Sequence, residues 1–124
     1  MTAPIKNIFL VDDDETANFI NEMQIKRFSN NLNVLTFTCA QKALHELKNE
    51  FKIPEFIFLD IDMPNLNGWD FIDQFKTLQL NSKIVMVTSS LNPNDKQKAN
   101  EIEEVIAFIE KPMVKTHLYP IFKD

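Results

Sequence analysis

The sequence predicts an α/β domain, an open parallel sheet with helices on both of its faces. Five short apolar runs, rich in β-branched or aromatic residues, alternate with segments of helical spacing. This alternation is typical of parallel strands joined by crossover helices. Several runs are continuously apolar, as expected for strands that are covered on both faces. The predicted strands are residues 8–11, 34–37, 56–61, 84–87 and 105–109.

The segments between these strands predict helices. In the first three segments, apolar residues recur three or four positions apart, which places them on one face of a helix. They are Ala17, Ile20, Met23 and Phe28 in the first segment, Ala40, Ala43, Leu44 and Leu47 in the second, and Trp69, Ile72, Phe75 and Leu78 in the third. The fourth segment, residues 93–104, is more polar, with Ala99 and Ile102 as its main apolar residues. Pro93 suits the first turn of that helix, and Asn92 suits its N-cap.

Composition limits the classes of function. The 124 residues fit one domain, 1–124, with no output domain expected. A net charge of −5 without a basic stripe argues against nucleic-acid binding. Gly68 is the only glycine, which excludes glycine-rich phosphate loops. The chain has no apolar run for a membrane span and no signal peptide, and its single cysteine, Cys39, cannot form an internal disulfide, so a cytoplasmic location away from membranes is expected.

Residues able to carry chemistry follow the predicted strands. They are Asp12, Asp13 and Asp14 after the first strand, Asp60 and Asp62 at the third, Thr88 after the fourth, and Lys111 after the fifth. Ligands of an open α/β sheet bind at the carboxyl ends of its strands, so we expect these groups to converge. Each has a structural explanation alone, such as helix capping for the acids or a surface position for the lysine. All of these separate explanations would have to hold at once, so a shared site at the strand ends is the simpler interpretation.

Such a cluster suits the transfer of a phosphoryl group to a carboxylate. Crowded carboxylates disfavour one another's ionisation, and a divalent cation with oxygen ligands, above all Mg²⁺, relieves the repulsion. A lysine and a hydroxyl can hold the phosphoryl oxygens while charge redistributes. An aspartate nucleophile forms an acyl phosphate as a covalent intermediate.

The sequence resembles the response-regulator receiver family of two-component signalling. The resemblance covers nearly the whole chain, in the segments IFLVDDDE, FIFLDIDMPNLNGWDF, IVMVTSS and AFIEKP, with matching order and spacing. It implies a flavodoxin-like, doubly wound sheet of five parallel strands in the order 2-1-3-4-5. It also implies a signalling phosphoacceptor rather than an enzyme, supplied by a sensor histidine kinase or a histidine phosphotransfer protein. A downstream protein target would then bind the surface that phosphorylation changes.

The resemblance also implies roles for the acids. Asp60 matches the phosphoacceptor. Asp12 and Asp13 match the acidic pair, with Asp13 as the direct Mg²⁺ ligand and Asp12 acting mostly through water. Asp62 matches the position whose backbone carbonyl completes the metal shell, and its side chain is expected to flank the site together with that of Ser90.

Two strand ends supply the remaining matches. Thr88 resembles the switch hydroxyl that turns toward the phosphoryl group. Lys111 resembles the lysine that pairs with that group, usually before a cis proline, here Pro112. Phe108 stands at the aromatic switch position of the family.

Three departures from the family pattern stand out. Ala107 replaces a common glycine, a minor change. Phe108 lacks the hydroxyl of the frequent tyrosine, so a switch there must work by packing. Pro120 falls where the last helix is expected. Proline inside a helix costs about 3 kcal/mol, so this helix is predicted to be short, kinked or late-starting.

Two other functions are weighed against this one. A phosphatase of the haloacid-dehalogenase type would also use an aspartate pair, here Asp60 and Asp62. That family places a threonine or valine shortly after the pair and needs a cap or a longer chain, whereas Met63 and Pro64 follow here. The other alternative is a receiver-like interaction module that is not phosphorylated. Such modules typically lose an acid, the threonine or the lysine, and all are present in this sequence.

Overall fold

Strands and helices alternate along the chain in the computed structural model, which describes residues 6–28, 31–49, 53–89 and 92–122. The strands β1 to β5 are Lys6–Val11, Leu32–Phe37, Phe56–Asp60, Lys83–Thr88 and Val105–Glu110. The helices α1 to α5 are Glu15–Phe28, Ala40–Asn49, Gly68–Thr77, Pro93–Asn100 and Lys115–Phe122. None of the helices in the described ranges is long and apolar enough to cross a membrane.

All five strands form one parallel sheet in the order β2-β1-β3-β4-β5, which confirms the predicted fold class and strand order. The central strand β3 is buried along its whole length, as its unbroken apolar run predicts. Val11 pairs with Leu59 across β1 and β3. The residues that come next, Asp12 just after β1 and Asp60 at the end of β3, therefore lie at the same edge of the sheet.

The core has two layers, one on each face of the sheet. Phe9 and Val11 of β1 point to the layer that α2, α3 and α4 cover. Ile8 and Leu10 point to the opposite layer, beneath α1 and α5. This alternation follows from the two-residue period of a strand, and it leaves the strand ends between the two layers as the place for a site.

Helix α1 turns only part of its apolar stripe to the core, because Phe28 packs against the layer beneath α1 and α5 but two other residues of the stripe are exposed. Ile20 is 46% exposed and Met23 42%, and the adjacent Phe19 is 64% exposed. The buried side chains of this helix include Asn18 and Asn21. The apolar residues share one face of the helix, but this face is only partly buried. The physical reason lies at Asn18. Its Nδ2 donates to the carbonyl oxygens of Asp12 and Phe37 at two strand ends. An apolar side chain in this position would leave both oxygens without these bonds.

Helix α4 is shorter than predicted. It begins at Pro93 with Asn92 as its N-cap, as expected, but it ends at Asn100 rather than at residue 104. Tight turns follow, in which the Glu101 N–H donates to Lys98 O. The Ile84 N–H already bonds Glu104 O at 2.8 Å, so Glu104 belongs to the sheet pairing and is not available to the helix.

Helix α5 is short, as predicted, and spans eight residues with Pro120 inside it. It starts after the cis peptide bond between Lys111 and Pro112. The N–H of Val114 donates to Nδ1 of His117 at 3.1 Å, which bonds one N–H at the start of the helix. Leu118 is fully buried against the sheet and anchors the helix despite its proline.

Candidate functional site

The acids that follow β1 divide into a helix cap and a pair at the site. Asp14 caps α1, because its Oδ1 accepts hydrogen bonds from the backbone N–H groups of Thr16 at 2.9 Å and Ala17 at 3.3 Å. Asp12 is buried and Asp13 is exposed. The capping explanation therefore applies to Asp14, and it leaves Asp12 and Asp13 for other chemistry.

Asp60 ends β3 and is buried, with 6% of its surface exposed. The chain returns closely beneath it, because the Gly68 N–H at the start of α3 donates to Ile61 O at 2.9 Å. A Cβ atom at Gly68 would lie only 2.8 Å from Asp60 O. The only glycine in the chain thus stands where a side chain would collide with the backbone of the central acid.

Three acids meet at this edge of the sheet. Asp12, Asp13 and Asp60 each present a carboxylate oxygen, and these oxygens lie within 4.8 Å of one another. Hard oxygen donors in such a group suit Mg²⁺ or a similar cation. Asp62 is exposed beside them, and its negative charge contributes to the raised pKa of Asp60. The predicted use of its backbone carbonyl stays a prediction.

Lys111 reaches the same cluster from the end of β5. Its Nζ donates to Asp12 Oδ2 at 2.6 Å and lies 3.5 Å from Asp60 Oδ1. Its backbone N–H donates to Thr88 O at 2.7 Å, which ties the end of β5 to the end of β4. Burial alone would lower the pKa of Lys111, but the hydrogen bond and charge of Asp12, together with Asp60, raise the pKa above its ordinary value. The lysine is therefore a permanent cation within the cluster.

Asp60 is the acid whose protonation the site perturbs. Its pKa is raised to about 6, chiefly by burial and then by the negative charge of Asp12, which outweighs the opposite effect of Lys111. Two weaker repulsions, from Asp13 and Asp62, act in the same direction. Without a cation the central carboxylate is therefore partly protonated near neutral pH, and a bound cation would favour its ionised, nucleophilic form.

Thr88 and Phe108 lie on the same face of the sheet. Thr88 is buried at the end of β4. Phe108 pairs with Met86, two residues before Thr88, across the β4–β5 ladder. Side chains two residues apart in a strand share a face, and Phe108 packs half-buried against the layer that contains Met86. The two predicted switch residues are therefore diagonal neighbours on adjacent strands.

Family comparison agrees with this geometry. The model of the response regulator receiver domain matches residues 8–123, almost the whole chain. The chain belongs to the response regulator receiver family. This confirms the resemblance and assigns the protein to two-component signalling.

Individual relatives and solved structures are similar to this receiver over most of its length. A two-component response regulator from Cytophaga hutchinsonii is 30% identical, with a TM-score of 0.87 over 97% of this chain and 96% of that one. A response regulator receiver protein from Dyadobacter fermentans is 25% identical, with a TM-score of 0.81 over 94% of each chain. The sensor histidine kinase CheAY of Helicobacter pylori is 27% identical over 118 residues, which is 94% of this chain but 14% of the kinase. The receiver thus corresponds to a small part of that relative and to nearly the full length of the two structures.

Sequence reasoning missed two residues that shape the receiver site. Asn18 supports the end of β1, because its Nδ2 donates to Asp12 O at 2.9 Å. The sequence feature that could have identified this residue is an asparagine on the face of α1 opposite the apolar stripe. Gly68 was used only to exclude phosphate loops, although a lone glycine after a buried strand also indicates close backbone approach. Ser90, expected to flank the site, lies outside the described residues.

Proposed function

We propose that this receiver accepts a phosphoryl group on Asp60 from a sensor histidine kinase or a histidine phosphotransfer protein. One observation carries the proposal, the meeting of the buried Asp60 carboxylate with Lys111 Nζ at 3.5 Å and with oxygens of Asp12 and Asp13 within 4.8 Å. A nucleophile, a fixed cation and a set of metal ligands are the parts that phosphoryl transfer to a carboxylate needs.

The transfer is a displacement at phosphorus. A carboxylate oxygen of Asp60 attacks and forms the P–O bond of an acyl phosphate. The bond from phosphorus to the donor's imidazole nitrogen breaks, and its electron pair stays on that nitrogen. The product is phosphorylated Asp60 and a free histidine on the donor.

Lys111 and Thr88 act on the oxygens of the incoming group. Lys111 Nζ is close enough to Asp60 to donate to a phosphoryl oxygen with little movement. The Thr88 hydroxyl, at the end of the neighbouring strand, would donate to another. Thr88 ends β4 and Lys111 directly follows β5, so the sheet positions both donors and the transfer requires little reorganisation.

Mg²⁺ is the proposed cofactor, and the residues fit it. Asp13 and Asp60 would bind it directly, Asp12 mostly through water, and the Asp62 carbonyl would complete the set. The ion would neutralise the charge that builds up between the carboxylates and the phosphoryl oxygens. Asp13 is exposed, so solvent and the ion can reach the site.

The phosphoryl donor would dock on the exposed face of α1. A cavity of about 260 Å³ adjoins the site and is lined by Ala17 and Ile20 of α1 and by Lys111 and Pro112. Exposed apolar surface next to a reactive site is typical of a protein-interaction site. A histidine-bearing protein seated there would present its phosphohistidine toward Asp60.

The output would be a changed surface rather than turnover of a substrate. We propose that the receiver catalyses only its own phosphorylation and dephosphorylation. Movement of Thr88 toward the phosphoryl group would free space for the ring of Phe108. The face formed by α4, β5 and α5 would then bind a downstream protein in a phosphorylation-dependent way.

Intact-mass measurement tests the acceptor. With acetyl phosphate and Mg²⁺, the wild-type protein should gain the mass of one phosphoryl group, and it should gain none without Mg²⁺. Asp60→Asn should remain unlabelled. Asp62→Asn is the matched control, because it removes a neighbouring exposed carboxylate and should still be labelled. Undiminished labelling of Asp60→Asn would exclude Asp60 as the acceptor.

A further inference from the structure

Strand β2 forms one outer edge of the sheet. Phe37 O accepts a hydrogen bond from the Asp12 N–H at 3.0 Å, so the backbone groups of Phe37 face β1. The backbone groups of successive residues in a strand point to alternate edges. Those of Val34 and Thr36 therefore point away from the sheet, where they can pair with a further strand.

The two edges of this sheet are protected differently. Natural edge strands commonly carry charges, prolines or bulges that block pairing with another chain. The β5 edge has a register shift opposite Ile84 and Val85 and ends at the acidic Glu110. The β2 edge runs in regular register with β1, and residues 31–41 contain no charged side chain. The β2 edge is thus the one suited to accept a strand.

Two cavities flank this edge at its carboxyl end, on opposite faces of the sheet. The first has a volume of about 240 Å³ and lies on the α1 side. The second has a volume of about 410 Å³ and lies on the α2 side. Thr36 and Thr38 line the first cavity and Phe37 the second. Because neighbouring side chains of an added strand also point to opposite faces, each cavity would receive one of them.

The cavity on the α1 side is rich in hydrogen-bond acceptors. Asn18 lines it and is 3% exposed, and its Oδ1 is a buried acceptor with no partner among the described residues. Glu15 and Glu22 add two carboxylates to the wall, and Glu22 already pairs with Lys26 at 2.8 Å. This wall offers negative charge and a buried oxygen, so it fits the ammonium or guanidinium group of a basic side chain.

The cavity on the α2 side has a different chemistry. Most of its exposed wall area is apolar, although Gln41, Lys42, His45 and Glu46 line it together with Phe37. The ring of Phe37 packs on Phe9 with 4.7 Å between centroids. Lys42 and Glu46 supply opposite charges that balance each other in the same wall. This cavity therefore fits an apolar side chain.

We propose that the β2 edge binds an extended peptide segment of a protein partner, in which a basic residue and an apolar residue are adjacent. The peptide would add a sixth strand to the sheet, with backbone hydrogen bonds to Val34 and Thr36. Its basic side chain would enter the cavity of Asn18, and its apolar neighbour the cavity of Phe37. A second copy of β2 is not the occupant, because β2 has no basic residue to offer.

Peptide titration tests this surface. The probe is a short capped peptide in which lysine and valine alternate, and its control carries glutamate in place of each lysine. On addition of the lysine peptide, the backbone amides of Val34 and Thr36 should shift, and the glutamate peptide should leave them unchanged. Equal shifts with both peptides, or shifts confined to other surfaces, would overturn the proposal.

Matched variants separate the two parts of the interaction. Thr36→Pro removes an outward N–H and leaves the β1 ladder intact, so it should weaken the lysine peptide about tenfold, whereas Thr36→Val should not. Glu15→Gln should weaken it about threefold, whereas Glu101→Gln, on a remote exposed residue, should have no effect. Unchanged affinity in Thr36→Pro would rule out strand addition. Labelling of Asp60 should persist in every variant, so this test fails or succeeds independently of the phosphoryl-transfer proposal.

Discussion

Lys111 forms a short hydrogen bond with Asp12 and a longer ion pair with Asp60. Its Nζ lies 2.6 Å from Asp12 Oδ2 and 3.5 Å from Asp60 Oδ1. The cation of the site thus neutralises the acid assigned to metal binding more strongly than the acid assigned to the phosphoryl group. Burial and the negative charge of Asp12 outweigh this lysine, so Asp60 keeps a raised pKa. We expect the stability of the protein to depend on pH and on Mg²⁺ for this reason.

We expect Asp60 to make the metal-free fold less stable as the pH rises. Its pKa is about 6 when folded, against an ordinary 3.8, so the folded state holds a proton that the unfolded state releases between these values. The cost of ionising Asp60 is absent below about pH 3.8 and complete above about pH 6, at no more than about 3 kcal/mol. Asp60→Asn removes this cost.

Urea denaturation in a chelator measures the pH effect. Above about pH 6, Asp60→Asn should be more stable than the wild type, and the difference should disappear toward about pH 4. Asp62→Asn, which alters an exposed carboxylate, serves as the control and should show a much smaller change. A difference that stays constant across this range would contradict the raised pKa.

Mg²⁺ should stabilise the fold through the acidic cluster. At about ten times its dissociation constant, a ligand adds roughly 1.4 kcal/mol to the free energy of unfolding. Thermal melts should show this gain for the wild type and lose it in Asp13→Ala. Asp14→Asn is the control, because it keeps the helix cap and lies outside the three-acid group. The same Mg²⁺ response in Asp13→Ala and wild type would place the metal elsewhere.

Gly68→Ala should destabilise the protein even though alanine favours helices. Helix propensity alone would make the change stabilising by up to about 1 kcal/mol. The added Cβ would lie 2.8 Å from Asp60 O and 3.0 Å from Ile61 Cα, and backbone atoms cannot easily move away. We expect a net loss of about 1–3 kcal/mol and slower labelling of Asp60. Asp73→Ala, at an exposed position of the same helix, is the control for urea denaturation. A neutral or stabilising effect of Gly68→Ala would show that the backbone at Asp60 and Ile61 can move to make room for the Cβ atom.

Phosphorylation should be transmitted from Thr88 to Phe108. Because Phe108 lacks a hydroxyl that would hold it outside, its inward rotamer should already be populated at rest, and the population shift should be modest. Amide chemical shifts of the Mg²⁺ form and a phosphoryl-mimic form measure this route. Phe108 and residues 92–104 should shift in the wild type and respond less in Thr88→Ala. Shifts confined to the Asp60 loop would contradict it.

Much of the site could be predicted because its residues follow strands that the apolar runs of the sequence predict. The continuous apolar run that ends at Asp60 predicts a buried central strand, and the structure buries all of β3. Parallel strands place their carboxyl ends at one edge, so Asp12 and Asp60 had to meet once the strands were paired. Spacing along the chain therefore contained both the fold and the meeting place of the acids.

Other features depend on contacts that spacing does not record. The spacing in α1 places its apolar residues on one face, but it does not show that Ile20 and Met23 are exposed while Asn18 is buried and bonds the carbonyls at two strand ends. The sequence also placed the end of α4 four residues too late, since pairing of Glu104 with β4 is decided by the sheet. Periodicity indicates that a helix has two faces, but the surrounding backbone determines which face is buried.

The sequence by itself determined the order of strands and helices, the receiver family and the acids that meet at the strand ends. Only the tertiary structure decided that Lys111 lies closer to Asp12 than to Asp60, that Gly68 lies against the backbone of Asp60, and that cavities flank the β2 edge. The physical reason is the separation along the chain of the residues that interact. Strand and helix patterns arise between near neighbours in the chain, whereas Lys111 and Asp12 are 99 residues apart and their distance is set only when the layers pack.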